Sequence, residues 1–375
     1  GVGANQLTID ADGSSRVFNV NDGDAYSSID VSISDVTITG GSDIDGAGIF
    51  NEENLTLNKS VISGNTASDK GGGIYNATNS GSDAGTLTLV NSTISGNDAS
   101  YRGGGIYNGN IATITNSTIA DNYAGYDGGG LFNNGEATLN QSTIAQNDIP
   151  TGGDGEGIYN GDQLNLFNTI VADHADGDVF NNGSISSGGN IVQDGSILGF
   201  NTLTADPLLD PAGLQNNGGS TPTIALQIGS PAINAGDNLR IPQDTLDEDG
   251  DSDSSEDIPF DQRGTGFDRV LNGTVDIGAF EAAIPTLIVD ILADENDGDF
   301  SEGDLSLREA IATIPEDGII TFDPTLANST IDLSTSGLGE LLIDTSLTID
   351  GESNNITIDA DGSSRVFNVD DGTGS

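Results

Sequence analysis

Short runs of alternating apolar and polar residues recur through the first half of the chain, each closing on an asparagine. LTLNKSVISGN (55–65), LTLVNSTISGN (87–97), ATITNSTIADN (112–122) and ATLNQSTIAQN (137–147) share one pattern. Period-two alternation with β-branched residues at the apolar positions predicts strands rather than helices. Each run leads into a glycine stretch closed by an aliphatic, an aromatic and an asparagine. These are GGGIYN (71–76), GGGIYN (103–108), GGGLFN (128–133) and EGIYN (156–160), with AGIFN (47–51) as an earlier, weaker copy. Ile62, Ile94, Ile119 and Ile144 follow one another at 32, 25 and 25 residues. The longer interval holds NSGSDAG (79–85), whose composition marks a surface loop.

A unit of about 25 residues made of short β-runs and Gly/Asn/Asp turns cannot bury its apolar face alone, but stacked copies can. The expected fold is therefore all-β: a parallel β-helix whose coils each supply two or three short strands at roughly 4.8 Å per coil. Ile62, Ile94, Ile119 and Ile144 are expected to form one internal ladder. Ile74, Ile106, Leu131 and Ile158 form a second, with Tyr75, Tyr107, Phe132 and Tyr159 stacked beside it. Asn65, Asn97, Asn122 and Asn147 fall where the chain turns, where an asparagine ladder satisfies turn amides coil by coil. LSLREAIATI (305–314) has the only good amphipathic helical spacing and is expected to cap an open coil end, otherwise an aggregation-prone edge.

A second repeat is longer. LTIDADGSSRVFNV (7–20) returns as ITIDADGSSRVFNV (356–369), identical at 13 of 14 positions and displaced by 349 residues. This predicts a window cut from a tandem array with a unit of about 349 residues; a duplicated cap within one domain is the alternative. The expected divisions are coils over 1–200, an irregular β junction region over 201–284, and the start of the next unit over 285–375.

Composition narrows the chemistry. Nine Lys and Arg stand against 59 Asp and Glu, a net charge of −50, which excludes a nucleic-acid or anionic-membrane surface. With no Cys there is no disulfide framework, thiolate metal site or thiol nucleophile. The lack of Met predicts a mature segment or a slice of something longer. No apolar run approaches the roughly 18 residues needed to span a bilayer.

Two acidic stretches are candidate metal sites. In DEDGDSD (247–253), Asp247, Asp249, Asp251 and Asp253 alternate with small residues around Gly250, a spacing able to wrap oxygen ligands about Ca²⁺. The flanking helices and twelfth-position Glu of an EF-hand are missing, and a solvated acidic loop is the plain alternative. DENDGD (294–299), with Asp294, Asp297 and Asp299 and continuing to Glu302 and Asp304, is the second candidate. Asp121 and Asp173 lie at comparable coil turns, where two carboxylates could share a face for hydrolysis, though turn residues are the simpler reading. Lys59, Lys70, Arg16, Arg102 and Arg240 are too scattered for a basic site on acidic sugars, and the single histidine, His174, reads as structural. Arg263, between Asp261 and Asp268, and Arg308, beside Glu309, are expected to form buried or interfacial ion pairs. N-x-S/T triplets at Asn91, Asn116 and Asn272 match a glycan acceptor pattern but also read as turns.

Several strings resemble a bacterial cell-surface type. NNGGSTPT (216–223), GSPAINAG (229–236), DQRG (261–264) and VDIGAFE (275–281) are similar to choice-of-anchor Q domains, which follow right-handed parallel β-helices of the pectate-lyase-like and chlamydial polymorphic outer-membrane kinds. DGDFSEGDLSLREAI (297–311) resembles the CSLREA-type segment that opens such helices, with Leu305 where that family's Cys would be. The resemblance implies a right-handed coil, a secreted or cell-surface location and no defined enzymatic activity. In such proteins the LREA segment comes first; here it follows DIGAFE directly, so the natural unit is expected to start near Pro285. The expected function is a structural repeat unit of an extracellular fibre, sheath or surface matrix, with Ca²⁺ as cofactor and neighbouring copies or surface polysaccharide as partners. An adhesin or glycan-binding stalk presenting Tyr101, Tyr123 and Tyr126 is the first alternative, and a polysaccharide lyase or hydrolase the second. An ice-binding face would need exposed Thr ranks; Thr93, Thr118 and Thr143 form a partial series that Ser60 breaks.

Overall fold

The computed structural model describes residues 4–370 apart from 5, 25–26, 79–84, 198, 200, 228, 272, 284, 301–302, 315–317, 352–353 and 363. Most of the expected loop at 79–85, together with Asn272 and Glu302, therefore lies outside the described residues. The chain divides into two compact units, Gly1–Ala282 and Ala283–Ser375.

The first unit is a parallel β-helix. Its strands stack into sheets of eight, seven, seven and four members, so each coil supplies up to three main strands and four of the coils a fourth. The ladders expected from the repeats are formed. Ile38, Ile62, Ile94, Ile119, Ile144, Val171 and Val192 pair in register along one sheet. Ile49, Ile74, Ile106, Leu131, Ile158 and Val179 do so along another. Leu57, Leu89, Ile114, Leu139 and Leu166 line a third. All these side chains are buried in one continuous core.

In the middle coils three residues in left-handed backbone conformation make the turns. In the coil holding Thr93–Ser95 these are Asn91, Gly96 and Gly103, with φ of 48°, 62° and 66°; in the next they are Asn116, Asp121 and Gly128, at 52°, 57° and 64°. Gly, Asn and Asp tolerate this region best, which explains the turn composition of the repeat. Gly103 has no substitute on two counts, since a Cβ there would also lie 2.5 Å from the carbonyl oxygen of Ile106.

The expected asparagine ladder is present. The Nδ2 of Asn65 donates to Oδ1 of Asn97 at 2.9 Å, Asn97 to Asn122 at 3.0 Å and Asn122 to Asn147 at 3.0 Å. A second ladder uses the asparagines that close the IYN strings: Asn51, Asn76, Asn108, Asn133, Asn160 and Asn181, each linked to the next at 2.7–2.8 Å. Both ladders are almost wholly buried, where amides bonded coil to coil avoid the cost of unpaired polar atoms.

The Thr series is not an outward rank. Thr93 pairs with Val61 rather than Ser60, and Thr93, Thr118 and Thr143 are buried. The irregular segment 201–282 lies across them. Thr93 donates to the carbonyl of Pro222 and Thr118 to Oε1 of Gln262, both at 2.6 Å, while Ala279 N–H donates to Thr143 at 3.1 Å. Ile224, Ala232 and Ile277 pack beneath this layer on Ala120, Ala145 and Ile170. The small flat side chains of that sheet face accept a covering chain, not ice.

The second unit begins a separate coil stack. Helix α1, Leu307–Thr313, carries a capping box between Ser306 and Glu309. It buries Leu307, Ala310 and Ile311 with Val289, Ile320 and Leu341. It packs against Leu341–Ile343, a strand whose other neighbour is Phe367–Val369. It is the one α-helix among the described residues, and no helix there is long and apolar enough to cross a membrane.

Candidate functional site

The acidic stretch around Gly250 forms the tip of a hairpin. Gln243 and Asp257 face each other as an antiparallel bridge, and Asp244 N–H donates to the Glu256 carbonyl at 2.8 Å. Chain closure brings residues from both legs together. One carboxylate oxygen each from Asp244, Asp249 and Glu256 lies within 4.8 Å of the others, and the same holds for Asp247, Asp249 and Asp251. Asp249 belongs to both groups.

Of the four expected ligands, Asp253 falls in neither group. Its Oδ1 accepts the backbone N–H of Ser255 at 3.0 Å and its hydroxyl at 2.6 Å, which hold its carboxyl below the ordinary range. Asp244 and Glu256 take part instead. Asp244 is 1% exposed; its Oδ2 accepts Glu248 N–H at 2.7 Å, while Oδ1, like Oε1 of Glu256, is buried without a hydrogen-bond partner. Burial pushes the Asp244 carboxyl up, and burial with the charges of Asp251, Asp249, Asp253 and Asp244 pushes Glu256 up. Clustered acids that resist ionisation are the situation a hard cation relieves. Glu248 moors the loop to the coils through Lys59 and through Asn58 Nδ2 at 2.9 Å.

The second acidic stretch is arranged differently from its spacing. Asp294 is engaged by Arg308, with Nε to Oδ1 at 2.7 Å and the guanidinium NH2 to Oδ2 at 2.9 Å, and it also accepts the Ser336 hydroxyl. A bidentate guanidinium occupies both oxygens, so Asp294 is a structural partner rather than a free ligand. Asp297 remains, grouped with Glu295 and Asp304 within 4.8 Å. Asp299 stays exposed outside that group, its N–H donating to Oδ1 of Asp297 at 2.9 Å. Burial, followed by neighbouring negative charge, raises both Glu295 and Asp304.

Both arginines form ion pairs as expected, Arg263 with an expected partner and Arg308 with a different one. Arg263 pairs with Asp261 at 2.6 Å and caps the Glu281 carbonyl at 2.6 Å. Arg308 pairs with Asp294, not its neighbour Glu309. Arg269, which sequence reasoning passed over, is wholly buried. It donates to Oε2 of Glu281 at 2.8 Å, Oδ1 of Asn116 at 2.9 Å and the Gly278 carbonyl at 3.2 Å. Asp276 sits beside this pair and accepts N–H bonds from Asn234 at 2.7 Å and Ala282 at 2.6 Å. Burial and the Glu281 charge still push the Asp276 carboxyl up to about 7.

The residues considered for sugar chemistry have local roles. Asp121 and Asp173 occupy left-handed corners at φ of 57° and 60°, and burial raises both carboxyls. His174 is buried; its Nδ1 lies 2.8 Å from Oδ1 of Asp178 and its Nε2 3.4 Å from Nδ2 of Asn147, so it ends the first asparagine ladder. Lys59, Lys70, Arg16, Arg102 and Arg240 pair separately with Glu248, Asp69, Asp43, Asp127 and Asp237. No protein-family profile, curated protein or solved structure matches the chain.

Proposed function

We propose that the chain is a structural repeat unit of a long, secreted bacterial surface protein that builds an extracellular fibre, sheath or matrix, with Ca²⁺ bound in its acidic loops. One observation carries this reading. The string shared by 7–20 and 356–369 stacks on the coil that follows it in the first unit and on the coil that precedes it in the second. Thr8–Asp10 pairs with Thr37–Thr39 and Phe18–Val20 with Ile49–Asn51. Thr357–Asp359 pairs with Thr330–Asp332 and Phe367–Val369 with Leu341–Ile343. A coil that stacks on a following coil in one setting and on a preceding coil in the other suits the interior of a continuing array. The LREA-type and DIGAFE strings support the bacterial surface assignment and a junction between successive units, and the −50 charge suits a hydrated fibre held by divalent ions.

Negative-stain electron microscopy of the native material, with its denatured chain mass, tests the reading. Regular filaments from a chain many times 38 kDa are expected; discrete particles from a single-unit chain would overturn it.

For the cation, metal-free protein is expected to gain stability on Ca²⁺ addition, by about 2.7 kcal/mol at a hundredfold excess over Kd. Asp249→Asn, at the exposed residue common to both carboxylate groups, should remove most of that gain. An equal shift in the variant, or with Na⁺ at matched ionic strength, would show charge screening rather than a site.

A second reading has its own support. Tyr101 and Tyr126 are exposed, 5.7 Å apart, and the Arg102 guanidinium lies 4.5 and 5.7 Å from their rings. Such a platform suits stacking on a sugar face, as a glycan-binding stalk would require.

A further inference from the structure

The two carboxylate groups of the hairpin share Asp249 but are not equivalent. At the tip, Asp247 and Asp251 each spend an oxygen on the loop's own backbone. Oδ1 of Asp247 accepts Ser252 N–H at 3.0 Å, and Oδ1 of Asp251 accepts Asp253 N–H at 2.7 Å. Asp249 and Asp251 are exposed, so water solvates their free oxygens. Between the legs the position is reversed. Asp244 is 1% exposed and gives its Oδ2 to Glu248 N–H. Among the described residues, its Oδ1 and Oε1 of Glu256 are buried with no hydrogen-bond partner. A buried carboxylate oxygen without a donor or cation is costly. Both orphans belong to the group of Asp244, Asp249 and Glu256.

The same residues stand where the hairpin meets the coils. At its base, Asp244 N–H donates to the Glu256 carbonyl at 2.8 Å and Ile258 N–H to the Pro242 carbonyl at 2.9 Å. Leu246 and Ile258 line a cavity of about 60 Å³ together with Val90, Thr113 and Thr115 of the coil wall, and Asp244 lines it too. Asp244 is therefore a contact of leg, leg and wall at once.

We propose that one hard divalent cation, of which Ca²⁺ is the probe, is held between the legs by Asp244, Asp249 and Glu256, and that it acts as a clasp: with the ion bound the hairpin closes on the coil wall, and without it the legs part. The inference rests on the reading of the acidic loops as Ca²⁺ sites; it places the ion between the legs rather than at the tip and gives it a task. The ligands come from the first leg, the tip and the second leg, so one ion crosslinks all three. Ca²⁺ accepts such an irregular set of carboxylates and completes its shell with water. Without a cation, the same three carboxylates repel one another at close range. Parting begins at the Glu256 leg, because the other is moored by Glu248 to Lys59 and Asn58.

The test uses the intact chain stripped by a chelator, titrated with Ca²⁺ in a calorimeter and followed by amide exchange over 243–258. Ca²⁺ is expected to slow exchange at the Asp244 and Ile258 N–H groups by about tenfold or more, and Na⁺ at matched ionic strength is not. Asp244→Asn and Glu256→Gln keep side-chain size. Each should raise the Ca²⁺ concentration needed for that protection by about tenfold or more, against about threefold or less for Asp251→Asn at the exposed tip, since affinity follows the charge of the ligands. Near-ultraviolet circular dichroism verifies that each variant keeps its coil stack; should Asp244→Asn lose it, Glu256→Gln carries the test. A chain that takes up no Ca²⁺ ends the Ca²⁺ reading and the clasp together. Uptake that leaves hairpin exchange unchanged, or that is weakened by Asp251→Asn and not by the leg variants, overturns the clasp alone.

Discussion

Replacing Arg269 with alanine is expected to lower the stability of the first unit by about 3–5 kcal/mol, the usual cost of leaving a buried charge without its partner. The guanidinium reaches Glu281, the Gly278 carbonyl and Asn116, and Asn116 is itself a left-handed corner of the coil stack. This side chain therefore ties the covering segment 201–282 to a coil corner, beside the contacts at Thr93, Thr118 and Thr143. Without it, Glu281 keeps only backbone donors, from Leu271 and Asp276 at 2.9 Å. Denaturant unfolding combined with amide exchange is the suitable measurement, because stacked coils need not unfold as one step. Early loss of exchange protection on the sheet face of Thr93, Thr118 and Thr143 would identify the covering layer as the part released. A loss below about 1 kcal/mol, within the range of a surface pair, would show that the network is not what fastens the layer.

The neighbouring carboxyl predicts a pH dependence of unusual sign. Asp276 is pushed up to about 7 in the fold, from the model-compound value of 3.8, mainly by burial and then by Glu281. Between about pH 4 and 7 the folded state then holds a proton that the unfolded state has released. Stability should fall as pH rises through that window, by up to about 1.4 kcal/mol per pH unit. It should level off above the folded value. Asp276→Asn should flatten the slope, leaving the part that comes from the other raised carboxyls, Glu281 among them. Thermal midpoints of both proteins from pH 4 to 8 check this, and an unchanged slope in the variant would assign the proton elsewhere. Carboxyls stabilised as anions in the fold make proteins lose stability toward low pH; Asp276 opposes that trend, as do the other carboxyls that burial raises, such as Glu281 and Asp244.

The coil ladders were legible because they are local patterns repeated in register. Ile62, Ile94, Ile119 and Ile144 needed only one spacing to be placed, and Asn65 to Asn147 followed with them. The closing asparagines of the IYN strings were equally visible, yet their ladder was not, since nothing in one string says whether its amide points inward. The acidic hairpin shows the limit more sharply. Alternation marked Asp247 to Asp253, but the chain doubles back, so Asp244 and Glu256 enter from the two legs. The Asp294 carboxyl was spoken for by Arg308, 14 residues away. Arg269 meets Asn116 across 153 residues, a separation no periodicity can register. The cover over Thr93, Thr118 and Thr143 was hidden for the same reason: strands show which side chains leave a sheet face, not which distant loop lands on it.

Phe50, Tyr75, Tyr107, Phe132, Tyr159 and Phe180 form one continuous column of rings, with successive centroids 4.6–5.4 Å apart and near-parallel planes. The chain has no Trp, so half of that column's rings belong to the chromophore that dominates its near-ultraviolet absorption. Burial also holds the Tyr75 phenol neutral up to about pH 12. Coil-to-coil spacing is thereby written into the optics of the molecule: rings held in van der Waals register share their excitation, and a slip between two coils would break the column at that step. The protein carries its own strain gauge, readable by circular dichroism without a label.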